Sequence, residues 1–365
     1  MVIPDYRHSI LNVTATILKH YQAPTPYETL PMLEEALKDK HHVVLVLLDG
    51  MGTNILYKHL FQDAFLLKHL KDVITSVFPP TTVAATTTVL SGVPPLVSGH
   101  LGWVQYFPKE DGYIEVFPNT DFYDPQRMID INFKDKYLKY PLIYEMIKKG
   151  SPQVSLSELF PNFREDGYPS FKDQVDRVIN ITRQKENSFS YVYWTEPDLT
   201  QHRYGTNAFE TKKVLMDLDQ EVERMAFFSS RGTAIVVIAD HGLTDVDEIA
   251  LSDNKELMDM LRKKPTLESR ATNFYVKHNE LKRFKHLFEE TYGNHFVLYS
   301  KAELLEKKLF GEGKKHKMFD QFIGDYVSIA TGNYMMTLGG DKHFVSHHAG
   351  LTKDEMEVPL IIFTK

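Results

Sequence analysis

Four short apolar runs, residues 43–48, 190–194, 234–239 and 360–363, constrain this chain more than any other feature. Each is rich in β-branched or aromatic residues and too short for a buried helix, so each reads as a strand covered on both faces, the signature of a parallel sheet. Polar, helix-like stretches lie between them, such as 172–185 and 207–228. This alternation predicts a doubly wound α/β fold, a three-layer sandwich with a largely parallel central sheet and helices on both of its faces. The 365 residues exceed the usual size of one small domain and leave room for insertions. Residues 251–342 change character, with many Lys and Glu and strand-like pieces only at 271–276 and 295–299. They predict a small inserted α+β cap subdomain, with 1–250 and 343–365 forming the core. A second insertion, 104–140, is aromatic and irregular. The charged stretches 303–308 and 311–315 read as solvated surface.

The chemistry-bearing residues fall at the ends of the four runs, where open α/β sheets build their sites. The first run ends in Asp49-Gly50-Met51-Gly52, a carboxylate at a strand tip followed by glycines for a tight turn. Alone this is as well explained by a plain Asp-Gly turn. A second segment, Phe78-Pro-Pro-Thr81-Thr82-Val83, leads into an Ala/Thr/Leu helix ending at Ser91-Gly92, so a hydroxyl sits at a helix N-terminus. The free N–H groups there favour an anion such as phosphate, and the Val83 amide is placed to stabilise charge on a transferring phosphoryl group. The segment by itself does not separate a nucleophile from an N-cap threonine. An alcohol nucleophile needs a base or a metal at neutral pH, so that reading requires ligands elsewhere.

After the second run, Asp198 and His202 stand four apart behind Pro197, which on a helix stacks both side chains on one face, suited to chelation. The alternative is a capping aspartate and a surface histidine. The third run ends in Asp240-His241-Gly242, and Ser346-His347-His348 precedes the last run. With no cysteine in the chain, disulfides and thiolate ligands are excluded, and a metal must be held by His, Asp, Glu or hydroxyl oxygen. The oxygen and nitrogen donors suit zinc, with manganese or iron as alternatives, in numbers sufficient for two ions.

These motifs, in this order, resemble the alkaline phosphatase superfamily on its type I phosphodiesterase/nucleotide pyrophosphatase side, across 43–102, 190–245 and 346–363. The resemblance implies a phosphohydrolase with a phosphothreonine intermediate and two divalent ions. It implies Asp49, Thr82, Asp240 and His241 for one ion and Asp198, His202 and His348 for the other. Thr82 takes the family's nucleophile position counted back from Ser91-Gly92, with Thr81 as runner-up. His348-Ala-Gly-Leu resembles the family's His-Gly-Gly-Leu, with His347 or His343 as substitutes. The family's phosphoryl-contacting asparagine corresponds to Trp103 here, so His100 and Trp103 are the candidates for the substrate pocket, and Tyr106, Phe117 and Phe122 offer further aromatic surface. Monoester or phosphonate hydrolysis and a catalytically silent metal-binding relative remain alternatives. The sulfatase branch lacks its Cys/Ser-x-Pro-x-Arg context here, and mutase relatives use serine.

A formal charge of -7 spread along the chain argues against a nucleic-acid polymer as partner and leaves small phosphate esters or nucleotides. No apolar run approaches the ~20 residues of a membrane span, and the N-terminus lacks a basic and apolar leader pattern, which predicts a cytoplasmic enzyme. Oligomeric state is not encoded in any of these patterns.

Overall fold

A computed structural model describes residues 1–337 and 343–365. The last five positions of the expected insertion, 338–342, lie outside the described residues. Six strands form the central sheet: β1 His42–Leu48, β2 Leu70–Thr75, β3 Ser155–Leu159, β4 Ser188–Trp194, β5 Thr233–Ile238 and β6 Glu357–Thr364, in the order β2-β6-β5-β1-β4-β3. Every residue of β1 and β5 is buried, as continuous Val/Leu/Ile runs require when both faces are covered. Each such side chain contributes about 1.5–3 kcal/mol over its exposed state.

β1 pairs in parallel with both β4 and β5, and β4 with β3. The C-terminal run corrects the expectation, because β6 runs antiparallel to both β5 and β2. The chain arrives at β6 from the Ser346–His348 segment, which lies at the end of the sheet where β5 finishes and pairs there with Thr244–Asp245. A parallel entry would need a crossover of a dozen or more residues, and only eight positions separate His348 from the strand.

Two pairs of helices pack against each other. Ile10–His20 contacts Thr82–Ser91, and Phe171–Thr182 contacts Phe209–Phe228. A second, wholly antiparallel sheet of seven strands combines the two insertions. Gly112–Glu115 and Val104–Phe107 join Thr266–Leu267 through the Val104–Leu267 pair, followed by Ala271–Phe274, Tyr326–Ala330 and Phe296–Ser300. A short hairpin alone is marginal in water, and joining the two segments gives them a shared core around Phe107, Ile114, Leu267 and Ile329. Among the described residues no helix is long and apolar enough to cross a membrane.

Candidate metal and phosphoryl site

Asp49 follows β1 directly, and its amide bonds the Trp194 carbonyl of β4 at 2.9 Å while its own carbonyl accepts from the Asp198 amide at 2.9 Å. The tips of β1 and β4 and the start of the helix Asp198–Tyr204 are thereby laced together. Gly50 adopts φ +72°, and a Cβ there would meet the Asp198 Cα and Cβ at 2.8 Å, so both conformation and space demand glycine. The Gly50 and His241 amides each donate to Asp240 Oδ1 at 3.0 Å, which fixes that carboxylate and leaves Oδ2 toward the site.

Two groups of donors result. Asp49, Asp240 and His241 bring ligand atoms within 4.8 Å of one another, and so do Asp198, His202 and His348. His241 Nε2 lies 3.5 Å from Asp49 Oδ1, 3.4 Å from Asp240 Oδ2 and 3.3 Å from Thr82 Oγ1. His202 Nε2 lies 3.3 Å from Asp198 Oδ1, the contact expected from a spacing of four on the helix Asp198–Tyr204. His348 Nε2 is 4.0 Å from the same oxygen. The groups adjoin, because the rings of His241 and His348 stack with centroids 3.9 Å apart.

The tautomers follow from the partners. His202 Nδ1 faces the Ser346 carbonyl at 2.8 Å and His241 Nδ1 the Gly242 carbonyl at 3.2 Å. A carbonyl only accepts, so each Nδ1 carries the proton and each Nε2 presents a lone pair to its group. Asp49 Oδ1, Asp198 Oδ1 and Asp240 Oδ2 are buried without a hydrogen-bond donor. Burial, then the neighbouring Asp240 and Asp198 carboxylates, holds Asp49 well above the ordinary carboxylate range. Burial likewise raises Asp240, opposed by His241. Burial and the surrounding imidazoles hold His347 and His348 well below the usual histidine value, keeping them neutral. Acceptor oxygens without donors beside neutral imidazole lone pairs fit divalent cations.

Thr82 opens the helix Thr82–Ser91 and Thr81 is its N-cap, with no side-chain capping bond. The fold brings Thr82 to His241, whereas the Thr81 hydroxyl is buried and has no hydrogen-bond partner. Val83 lies in the first turn, where N–H groups lack intrahelical acceptors. His347 is buried beside His202 with Nδ1 on the His348 amide at 2.9 Å, and His343 is exposed against Glu248. His100 is fully buried, edge-on to Tyr140, with its pKa pushed down to about 3 by burial. The Trp103 ring turns to Glu115 and Phe117, while its backbone N–H donates to Glu268 Oε1 at 2.6 Å.

Two neighbours of the site carry no local signal in the sequence. The Tyr193 hydroxyl donates to Asp49 Oδ2, and Glu268 reaches Trp103 from the second sheet. The alternation of β4 places Tyr193 on one face of the sheet, but only the packed fold shows what it meets.

A model of the type I phosphodiesterase / nucleotide pyrophosphatase family matches residues 43–350. Solved structures with the same fold include the human ectonucleotide pyrophosphatase / phosphodiesterase 5, at 16% identity and TM-score 0.66 over 88% of this chain and 87% of that one. The murine protein, solved as an inactive threonine-to-alanine variant in complex with AMP, matches at 18% identity and TM-score 0.63 over 88% and 87%. Phosphonoacetate hydrolase from Sinorhizobium meliloti 1021, in complex with phosphonoacetate, matches at 17% identity and TM-score 0.64 over 87% and 89%. No curated protein matches significantly in sequence.

Proposed function

The chain belongs to the type I phosphodiesterase / nucleotide pyrophosphatase family, and from that premise we propose that it is a metal-dependent phosphohydrolase in which Thr82 is the nucleophile. The observation that carries this reading is the Thr82 hydroxyl, 3.3 Å from His241 Nε2 at a helix N-terminus and beside two adjoining groups of carboxylates and imidazoles. Asp49, Asp240 and His241, with Thr82, would hold one divalent ion, and Asp198, His202 and His348 the other, zinc suiting the donor set. Bound there, the ions supply Lewis-acid stabilisation and lower the pKa of a coordinated hydroxyl.

The chain's own residues do the rest. Thr82 Oγ forms a bond to phosphorus as the bond to the leaving oxygen breaks, giving a phosphothreonine that water later cleaves to restore the hydroxyl. The Val83 amide and the helix N-terminus face the charge that builds on the phosphoryl oxygens. Tyr193 holds Asp49, and the Gly242 and Ser346 carbonyls hold the imidazoles in the required tautomer. The AMP bound by the murine protein makes nucleotide-like esters the first substrates to test.

A second reading, hydrolysis of monoesters or phosphonates, is favoured by position 103, where an indole engaged with Glu115 stands instead of a phosphoryl-contacting amide. Turnover of nitrophenyl phosphate and of its diester analogue, compared at matched metal content, separates the two. Faster diester turnover supports the first reading and faster monoester turnover the second. Stoichiometric metal without turnover of either would identify a silent relative.

A further inference from the structure

The loop that carries His348 does not hold its shape by itself. Ala349, fully buried, sits at φ +91°, a conformation costly for a residue with a side chain and one that persists only where the surroundings impose it. On one side of it His348 brings Nε2 to 4.0 Å from Asp198 Oδ1, and on the other the Gly350 amide donates to Glu355 Oε1 at 2.7 Å. A Cβ on Gly350 would meet Glu355 Oε2 at 2.8 Å and the Ala330 carbonyl oxygen at 2.9 Å, so the loop is pressed against both.

Glu355 lies in the short helix Lys353–Met356, outside every motif that built the site, and is fully buried. Its Oε2 accepts from the Thr352 amide at 3.2 Å and from the Thr352 hydroxyl at 2.6 Å. Its backbone carbonyl accepts from the Gly242 amide at 2.9 Å, one residue after His241. One residue thus touches the loops of both His241 and His348, whose rings stack. Arg270, at the edge of the second sheet and also fully buried, donates to Glu355 from Nε at 2.6 Å and from Nη2 at 2.8 Å. Its Nη1 and Nη2 also reach the Tyr334 and Gly332 carbonyls, each at 2.7 Å. The same sheet grips the loop directly, because the Ala330 carbonyl accepts from the Leu351 amide at 3.0 Å while the Ala330 amide donates to the Arg270 carbonyl at 2.9 Å.

A buried ion pair adds little stability over an apolar pair of similar volume, so folding alone is a poor reason for this one. What it supplies is direction: a carboxylate locked by a planar, two-pronged partner fixes the amide two residues beyond His348 in one place. We propose that Glu355 and Arg270 are positioning residues for the candidate metal centre, holding the His348 loop in its strained form and so the imidazole beside Asp198 and His202. The second sheet, which contributes none of the proposed ligands, thereby sets the affinity of one of the two ion sites. The inference rests on the reading of His348 as a metal ligand.

The test titrates the metal-free full chain with zinc against a competing chelator, alongside melting temperature and hydrogen exchange at the Gly350 amide. In Arg270→Met/Glu355→Met both charges go together and apolar side chains fill the space, which spares the fold while the Gly350 amide loses its acceptor. The expected result is a loss of about 10- to 100-fold in affinity for one ion, the same ion that His348→Ala loses, with the other ion unchanged. Exchange at Gly350 in the metal-free protein should quicken by about 10-fold or more. Arg270→Met/Glu355→Gln, whose amide oxygen still accepts from Gly350, should recover affinity to within about threefold of wild type. Arg270→Lys keeps the charge but not the fork; it should lose affinity for the same ion to a smaller degree, and it carries the test if the Met pair does not fold. A folded Met pair with both affinities intact, an equal loss at both ions, a Gln variant as weak as the Met pair, or an Arg270→Lys variant with both affinities intact where the Met pair does not fold overturns the proposal. A wild type that binds a single ion, retained in His348→Ala, overturns the reading of His348 as a ligand and the positioning role with it, an outcome told apart from the others by the wild type alone.

Discussion

At Asp49 the proposed metal role sets two demands against each other, since a carboxylate that serves a cation must stay ionised and this one is buried beside two other carboxylates. Tyr193 answers part of that demand by donating to Oδ2, which favours the charged form and leaves Oδ1 facing His241. Tyr193→Phe removes this bond with little change of volume. The expected outcome is a loss of about 10- to 100-fold in divalent-metal affinity, read by titration of the metal-free protein, with the melting temperature little changed. Unaltered affinity would assign the hydroxyl to packing alone. The identities of the gathered residues were legible in the sequence because each motif is local: Asp-Gly at a strand tip, Asp and His four apart, Asp-His before glycine. Tyr193 and Glu268 were not, because each meets its partner across 144 and 165 positions of chain.

Elements set the precision of that meeting. β1, β4 and β5 announce themselves as apolar runs because both faces are covered, whereas the edge strands β2 and β3 keep polar, partly exposed residues such as Lys71, Asp72 and Glu158 and so escape a hydrophobic reading. The direction of β6 was likewise hidden, since burial leaves the same pattern in either sense. Gly50 joins the β1 tip to the helix Asp198–Tyr204 at a distance that no larger residue allows. Gly50→Ala is expected to cost about 1–3 kcal/mol through its positive φ and to push the two ligand groups apart. Thermal melting and metal stoichiometry check this, and a variant with full stability and two bound ions would show the contact to be soft.

Across the whole molecule, the two insertions that look separate along the chain form one sheet, because Val104 and Leu267 pair and neither segment alone buries enough apolar surface. The Arg270–Glu355 pair ties that sheet to the loop carrying His348. Glu268 links this assembly to pH. Its folded pKa of about 7 lies above its unfolded value, so its contribution to stability is complete below the unfolded value and is lost as pH rises through about 7. Relative to Glu268→Gln, the wild type should lose up to roughly 3 kcal/mol between pH 4 and pH 8, seen as diverging denaturation midpoints. Parallel midpoints would place the carboxyl in a more polar setting. The central claim is that Thr82 is the nucleophile between two metal-ligand groups, and its most direct test is Thr82→Ala assayed for metal content and phosphoester turnover together. Thr82→Ala should retain divalent metal, yield no phosphothreonine on rapid acid quench and turn over roughly 1,000-fold more slowly or worse; turnover at the wild-type rate with the same metal content would rule Thr82 out as the nucleophile.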